Sequence, residues 1–305
     1  MRDPSEKVCK LEFIAAGLPA GIHSVDGDLV FVSGLPWLAG AHQEMLAHGG
    51  SVEACHGGAL LRSTDSLAGV LIAEDVGNPT DTARMLYEKL FAVLGGHDLF
   101  RVWNYVPRIN DVVDGLENYR AFNAGRHQAM QQAWGNSLAG KLPAASALGT
   151  YDGPLMLAFS AGHAPVKYFE NPLQIPALEY PRQYGKLPPA FARGSVVHEP
   201  HGTTWHLSGT ASIRGCETCG ADFSTQLQLT LENIATICSH MEIPASRQAG
   251  WKIFLRDPAH LAASQAAMQR AYPQDATSII FLRADICRAN LLVEIEGIFH
   301  QPTSL

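Results

Sequence analysis

The residues of this chain best suited to chemistry are two glutamates, Glu294 and Glu296, near its C-terminal end. They interrupt the apolar run 291–299 and alternate with apolar residues and glycine, so both side chains share one face if the run is a strand. Such a carboxyl either faces solvent or is enclosed in a pocket that raises its pKa, where it can serve as an acid near neutral pH. The choice between these two positions decides whether the protein is an enzyme.

Arginine and tyrosine residues in two other segments could bind an anionic substrate. They are Tyr119, Arg120 and Arg126 in the segment 116–130, and Tyr180, Arg182 and Tyr184 in the segment 179–185. Arginine binds a carboxylate through two parallel hydrogen bonds, and a tyrosine hydroxyl adds another, so the two clusters suit a substrate with two carboxylates. Alternatively, Arg120 and Arg126 are surface residues of a helix, paired with Glu117 or with water. The proline beside Arg182 favours the binding role there, because aromatic residues fixed by proline seldom need an arginine for packing.

Small residues and one cysteine complete the set of candidates. Gly209 and Ala211 belong to the segment SGTAS, where small side chains would let a ligand approach the backbone, although a tight turn would use the same residues. Cys287 precedes Glu294 by seven residues, in a position where a buried structural cysteine is the usual case.

The sequence predicts neither a metal nor another cofactor. Cys216 and Cys219 form a CxxC pair, but a zinc site needs further ligands at suitable spacing and none is evident. Two thiols near a turn are therefore the favoured interpretation, with a redox pair as the alternative. The thirteen histidines are scattered without an HExxH motif, and no nucleotide or flavin motif occurs.

The composition indicates a globular chain that acts on a small molecule. Of its 305 residues 47% are hydrophobic and 17% are charged, which is typical of a chain with a large core. The net charge of −7 and the lack of a Lys/Arg run argue against nucleic acid or an anionic membrane as the partner. The first ten residues lack the apolar segment of a signal peptide, and no run is long enough to span a bilayer. We therefore expect a cytoplasmic protein with free thiols, either a monomer or a homo-oligomer.

The apolar pattern predicts the same order of elements twice. In the first half, strands are predicted at 67–73, 99–106, 145–149 and 155–159, and helices at 78–94 and 119–134. In the second half, strands are predicted at 204–213, at 251–255 and in two final runs, and helices at 223–238 and 259–270. One βαβαββ-like unit per half predicts an α+β fold with two units packed side by side.

The repeat divides the chain into an N-terminal unit (1–161), a connection (162–193) and a C-terminal unit (194–305). The connection is rich in proline and aromatic residues and too apolar for a flexible linker, so we expect it to pack at the interface of the two units. Only the last strand of the C-terminal unit carries acids, since the matching segment 155–159 has none. This asymmetry predicts a single active centre in a cleft between the units.

Five segments identify a family that the chain resembles. RVWNYVPRIN, LENYRAFNAGR, ENPLQIPALEYPRQYG, SGTASI and LRADICRANLLVEIEG occur in this order. Together they resemble the chorismatases, bacterial enzymes that remove the enolpyruvyl side chain of chorismate as pyruvate. The closing VEIEG and the internal repeat also resemble the small RidA/YjgF proteins. That resemblance implies two RidA/YjgF-like (chorismate-mutase-like) repeats, each a mixed sheet with helices on one face.

The resemblance implies a function for each candidate residue. Glu294 matches the catalytic glutamate of the family, which protonates the methylene carbon of the enol ether and so forms an oxocarbenium ion. Cys287 matches the position where hydroxybenzoate-forming members carry cysteine, which favours 3- or 4-hydroxybenzoate as the product. The arginines and tyrosines would bind the two carboxylates of chorismate.

Three other functions stay open on the sequence. They are a hydrolytic chorismatase that forms a dihydroxycyclohexadiene carboxylate, a RidA-like imine deaminase, and a non-catalytic protein that binds aromatic acids. Convergence of Arg182, Tyr184 and Glu294 on one pocket would argue against the last of these.

Overall fold

A computed structural model of the chain describes residues 7–12 and 19–303. Residues 1–6, which contribute to the prediction that no signal peptide is present, lie outside the described residues. Across the part that is described, none of the helices has the length and apolar character needed to cross a membrane.

The described residues form four α-helices and a larger number of short strands. The helices are α1 (Pro79–Leu94), α2 (Asn118–Trp134), α3 (Phe223–His240) and α4 (Leu261–Ala271). The strands before α1 are β1 (Val8–Glu12), β2 (Gly21–Val25), β3 (Asp28–Val32), β4 (Trp37–Gly40), β5 (Gln43–His48), β6 (Ser51–Cys55), β7 (Gly58–Arg62) and β8 (Ser66–Ile72). Those up to residue 169 are β9 (Asp98–Pro107), β10 (Val112–Val113), β11 (Leu116–Glu117), β12 (Ala144–Thr150), β13 (Met156–Gly162) and β14 (Val166–Phe169). The remainder are β15 (Gly194–Glu199), β16 (Gly202–Thr210), β17 (Ile213–Arg214), β18 (Glu217–Thr218), β19 (Gln248–Leu255), β20 (Ile279–Arg283), β21 (Asp285–Ile286) and β22 (Val293–Pro302).

The predicted repeat is present in two seven-stranded sheets. Their strand orders are β21-β12-β9-β13-β8-β7-β6 and β14-β15-β16-β22-β19-β20-β4. The unit β8-α1-β9-α2-β12-β13 in the first sheet corresponds to β16-α3-β19-α4-β20-β22 in the second, and in both the last strand inserts between the first two. One parallel pair in each unit, β9–β12 or β19–β20, is joined by a crossover helix. The α+β class and the βαβαββ repeat are confirmed.

Local sequence signals define the ends of α1 and its contact with α2. The Oδ1 atom of Asn78 accepts a hydrogen bond of 2.9 Å from the amide of Thr80, proline occupies the first turn, and Gly95 ends the helix in the left-handed conformation at φ 57°. The helices approach closely at Gly125, where an added Cβ would overlap the carbonyl oxygen of Thr80.

Helices cover the outer face of each sheet, and the inner faces of the sheets meet. In the first unit, helix residues such as Leu86 and Phe122 pack with strand residues such as Val102, and α3 and α4 cover the second sheet in the same way. On the inner side, Trp103 of the first sheet shares a buried cluster with Phe254 of the second. The helix-free faces of the two sheets therefore form the contact between the two units.

The strands at the sheet edges cross the predicted unit boundaries. Strand β4, from the N-terminal part, pairs with β20, while β21, from the C-terminal part, pairs with β12. Strand β14 of the predicted connection is the edge of the second sheet. In addition, β1, β2, β3 and β5 form a four-stranded sheet that the prediction of one N-terminal repeat over 1–161 does not include. These strands are short and their burial pattern is irregular, which explains why periodicity detects only part of them.

Candidate active site

Glu294 is enclosed on β22, in the middle of the second sheet. Only 3% of the residue is exposed, and its Oε1 atom meets no hydrogen-bond partner in the described chain. The carboxyl lies against Gly209 of β16, where any Cβ would overlap Oε1. Burial, followed by the nearby charge of Glu296, raises the pKa of Glu294 to about 8, against the opposing effect of Arg101. Glu294 is therefore a neutral carboxylic acid at pH 7. Of the two positions that the sequence left open, it occupies the enclosed pocket and does not face solvent.

Glu296 lies on the same face but has the opposite environment. Its carboxylate accepts hydrogen bonds from Arg101 Nη2 at 2.6 Å, from Trp103 Nε1 at 2.8 Å and from the Ser146 hydroxyl. Lys252 Nζ lies 2.7 Å from Oε1. Burial alone would raise the pKa of Glu296, but Lys252, Arg101 and these hydrogen bonds lower it below its ordinary value. Glu296 is therefore ionised and belongs to the contact between the two sheets.

A small inner cavity of about 30 Å³ places Glu294 among several predicted residues. It is lined by Tyr119, Arg126, Ala145, Ser146, Ala147, Phe191, Gly209, Cys287 and Glu294. The lining comes from α2, β12, β16, β22 and the segments that precede β15 and β22. The acid thus faces a space between the two units.

An outer cavity of about 270 Å³ shares Tyr119 and Cys287 with the inner one. It is lined by Glu117, Tyr119, Arg120, Tyr180, Tyr184, Pro189, Glu217, Thr218, Cys287, Arg288, Ala289 and Asn290. The Arg288 guanidinium stacks over the ring of Tyr184 at 4.1 Å and over that of Tyr180 at 5.5 Å. The two cavities together give an aromatic and cationic entrance that leads to a protected acid.

Two buried arginines bring positive charge to the inner end. Arg126 is 1% exposed, donates from Nη2 to Asn123 Oδ1 at 2.8 Å, and keeps its Nε without a partner among the residues the structure describes. Arg193, 6% exposed, donates to the Tyr180 hydroxyl at 2.8 Å. Buried guanidinium groups with spare donors are suited to binding a carboxylate.

The Cys287 thiol stays protonated at neutral pH. Burial and then the charge of Glu294 raise the pKa of Cys287 to about 12. Burial likewise raises the pKa of Tyr119 above its ordinary range. Both groups therefore meet a ligand as neutral hydrogen-bonding groups and not as anions.

The structure does not bring every predicted site residue to the cavities. Arg182 is exposed on the 3-10 turn Arg182–Tyr184 and, within the described chain, lines neither cavity, because the turn directs Tyr184 inward instead. Ala211 is likewise absent from both linings and packs with Ile286 and Leu291. Arg120 lines the outer cavity but is paired with Glu117 at 3.2 Å, as the alternative interpretation of that residue proposed. Tyr184 thus lines the outer cavity, Glu294 lines the inner one and Arg182 lines neither, so the three residues do not converge on one pocket as expected.

Three groups at the site were missed by the sequence analysis. Ser146 and Arg193 come from segments that carry no motif, and Arg288 follows Cys287 in LRADICRANLLVEIEG without being singled out there. For Arg193 a signal was present, because a charged residue immediately before an apolar strand is expected to have a partner when buried.

Other features of the structure are less suited to catalysis. A cavity of about 330 Å³ near the start of α1 is lined by residues that include Asp75 and Asp152, but both acids are exposed. Cys216 and Cys219 lie at the hairpin of β17 and β18 with free thiols, and Cys216 Sγ is 3.7 Å from Glu217. No cluster of three metal-binding side chains occurs among the described residues.

Comparisons with known proteins identify relatives of this chain. The family model "Chorismatase FkbO/Hyg5-like, N-terminal" matches residues 44–161. A 3-hydroxybenzoate synthase of Streptomyces hygroscopicus is 34% identical over 73% of this chain and 70% of its own length. A chorismatase of the same organism is 33% identical over 79% of this chain and 74% of its own length. A crystal structure of a chorismatase, 28% identical, superposes with a TM-score of 0.81 and covers 97% of this chain and 93% of that one.

Proposed function

The chain belongs to the chorismatase family, and we propose that it cleaves the enolpyruvyl ether of chorismate to pyruvate and 3- or 4-hydroxybenzoate with Glu294 as the proton donor. The observation that carries the assignment of Glu294 is its buried, neutral carboxyl, with an open Oε1 at a cavity between the two units. A vinyl carbon is a weak base, so it requires an acid that is shielded from water and already holds its proton.

The reaction begins with transfer of that proton to the methylene carbon of the side chain. The carbon–carbon double bond supplies the electron pair, and the ether oxygen stabilises the resulting oxocarbenium ion. Cleavage of the bond between the ring and the ether oxygen returns its electron pair to that oxygen and releases pyruvate. For 4-hydroxybenzoate the ring then loses the proton of the carbon that keeps the hydroxyl group. For the 3-isomer the hydroxyl oxygen first bonds to the vacated neighbouring carbon and loses its proton, and protonation and opening at its original carbon, followed by loss of the ring proton, make the ring aromatic. No water is consumed in either case, and the protons lost balance those gained.

Chorismate carries two carboxylates, and the site offers cations at both ends. Arg126 lines the inner cavity beside Glu294, while Arg288 lines the outer one. Arg193 is held between the Tyr180 hydroxyl and the region of Glu294. In our proposal Arg126 and Arg193 bind the carboxylate next to the reacting double bond, and Arg288 with Tyr184 orients the other end of the substrate.

The second candidate is hydrolytic cleavage, in which one water adds and a dihydroxycyclohexadiene carboxylate forms. The neutral Cys287 thiol lines both cavities, and in our proposal it excludes the water that hydrolysis requires and so favours the hydroxybenzoate product. Cys287→Ala should open this space and shift the product mixture towards the diol, with little change in the chorismate concentration that half-saturates the enzyme. Liquid chromatography of the products tests this, with Cys238→Ala, a substitution on α3, as the control. An unaltered product profile would remove Cys287 from the mechanism.

The decisive experiment is incubation of the purified protein with chorismate. Pyruvate should form, as measured by coupling to lactate dehydrogenase, together with a hydroxybenzoate identified by chromatography. Glu294→Gln should lower kcat by about 10²–10⁴-fold, the usual contribution of a general acid, while circular dichroism shows an unchanged fold. Glu88→Gln, on the surface of α1, serves as the matched control. Full activity of Glu294→Gln would refute the assignment.

A further inference from the structure

Glu296 takes no part in the proposed proton transfer. Its buried carboxylate is bound by four side chains, those of Arg101, Trp103, Lys252 and Ser146. We propose that Glu296 is a positioning residue that keeps Glu294 neutral and fixed against the cavity. This inference deepens the proposed function and rests on it for the catalytic importance of Glu294.

The distribution of partners between the two acids supports the proposal. Both lie on the inward face of β22, and two carboxylates so close together in a buried site do not both ionise readily. Arg101 and Lys252 contact Glu296, whereas Oε1 of Glu294 is left without a hydrogen bond by the described part of the chain. The negative charge therefore settles on Glu296, and the proton stays on Glu294.

The other charged or titratable groups around the acids do not change this division. The charge of Arg193 opposes the raised pKa of Glu294, but Arg193 donates to the Tyr180 hydroxyl and lies 3.9 Å from Glu170. Arg126 is bound to Asn123, while the Cys287, Tyr119 and Tyr105 side chains stay protonated. Beyond Glu296, Lys252 also contacts Glu44 of β5, and burial raises the pKa of Glu44. Burial, followed by the charges of Arg101 and Lys252, lowers the pKa of His206 on β16 to about 3, so His206 adds no positive charge.

A hydrogen-bonded link also connects Glu296 to the position of Glu294. The Ser146 hydroxyl donates to Glu296 and accepts a 2.9 Å hydrogen bond from the amide of Gly209. Gly209 is the residue whose Cα faces the carboxyl of Glu294. Glu296 thus fixes, through one serine, the backbone against which the acid is packed.

Infrared difference spectroscopy of the enzyme without chorismate tests this inference directly. The spectrum of the wild type minus that of Glu294→Gln isolates the carbonyl band of the protonated Glu294 carboxyl, which should disappear with a midpoint near pH 8. In the background of Glu296→Gln the midpoint should fall by about one pH unit or more, because the neighbouring negative charge is lost and Arg101 is freed. Glu44→Gln, which removes a different carboxylate from Lys252, should keep the wild-type midpoint.

Glu296→Gln leaves two buried cations unpaired, which destabilises the fold. Two further variants therefore test the inference if Glu296→Gln does not fold. Glu296→Gln/Lys252→Met balances the charge, and Ser146→Ala removes the link together with the hydrogen bond that Ser146 accepts from Arg101. Both variants should lower the midpoint, the second by less. An unchanged midpoint in the variants that fold overturns the inference, even in an active enzyme. A wild-type protein that titrates as expected but releases no pyruvate from chorismate overturns the proposed function alone.

Discussion

At the scale of single residues, the partners of two glutamates determine which one carries a proton. Glu294 and Glu296 are of the same type, on the same strand and almost equally buried, at 3% and 1% exposure. Salt bridges and hydrogen bonds to Glu296 stabilise its charged form, whereas burial of Glu294 favours its neutral form. Residue type alone cannot distinguish the two acids, because the difference arises from Arg101, Trp103 and Ser146 of the other sheet and from Lys252 of the neighbouring strand β19.

The raised pKa of Glu294 predicts how the rate depends on pH. An acid must hold its proton to donate it, so kcat/KM should be level below about pH 8 and should fall about tenfold per pH unit above it. The contribution of Glu294 to the free energy of unfolding also decreases as the pH rises. This contribution is fully present below the ordinary pKa of 4.5 and is lost as the pH rises through about 8. Steady-state kinetics between about pH 6 and about pH 10 measure the first effect. A kcat/KM that is still rising above about pH 9 would contradict it.

Gly209 gives a second prediction at this scale. A methyl group at this position would overlap Oε1 of Glu294 and approach the Ser146 hydroxyl at 3.0 Å. Gly209→Ala should therefore displace the acid and lower kcat by about tenfold or more, since small misplacements of catalytic groups are costly. Gly250→Ala on β19, whose nearest contact would be 3.9 Å away, is the control for a glycine in a strand of the same sheet. Equal activity of the two variants would show that the position of the carboxyl does not depend on Gly209.

At the scale of secondary structure, α2 supplies both cavities from one of its faces. Tyr119 and Arg126 are two turns apart on this helix, and its other side packs on α1 at Gly125. The contact of α1 with α2 therefore sets the position of residues that line the site. The helix ends were predictable, because Asn78, Pro79 and Gly95 are local signals. The directions of the Tyr184 and Arg182 side chains could not be predicted, because they depend on the backbone of a short 3-10 turn.

Gly125→Ala tests the dependence of the site on this helix contact. The new methyl group would overlap Thr80 and lie 2.7 Å from the amide of Arg84, so the two helices must separate. We expect the free energy of unfolding to fall by about 1–3 kcal/mol, as for other overpacked sites, together with weaker binding of chorismate. Urea denaturation and steady-state kinetics measure the two effects. Gly140→Ala, with open space around the glycine, should be neutral, and a neutral Gly125→Ala would show that the helices adjust without cost.

At the scale of the whole molecule, charged and apolar contacts join the two units across their inner faces. Arg101 and Trp103 of the first sheet bind Glu296 of the second, and the edge strands β4 and β21 cross between the units. The internal repeat was visible in the sequence because each unit has its own periodic pattern. The N-terminal sheet and the pairing of β4 and β21 with the sheet of the other unit were not visible in the sequence. Pairing between distant short strands leaves little trace in local periodicity.

The interface predicts that the first unit is not stable alone. A fragment of residues 44–161, the range matched by the family model, would expose Trp103 and leave Arg101 without its carboxylate. Loss of one partner from a buried ion pair costs about 3–5 kcal/mol, a large part of the stability of an average domain. Thermal melting followed by circular dichroism should show one cooperative transition for the full chain and none for the fragment. A cooperative transition of the isolated fragment would contradict this expectation.

The position of β22 also has a consequence for biosynthesis. This strand lies between β16 and β19, yet the ribosome makes it after every other strand of the second sheet. The second sheet therefore cannot be completed before the segment that bears Glu294 has been synthesised. A nascent polypeptide thus lacks both the central strand of this sheet and the proposed proton donor until the same segment is added.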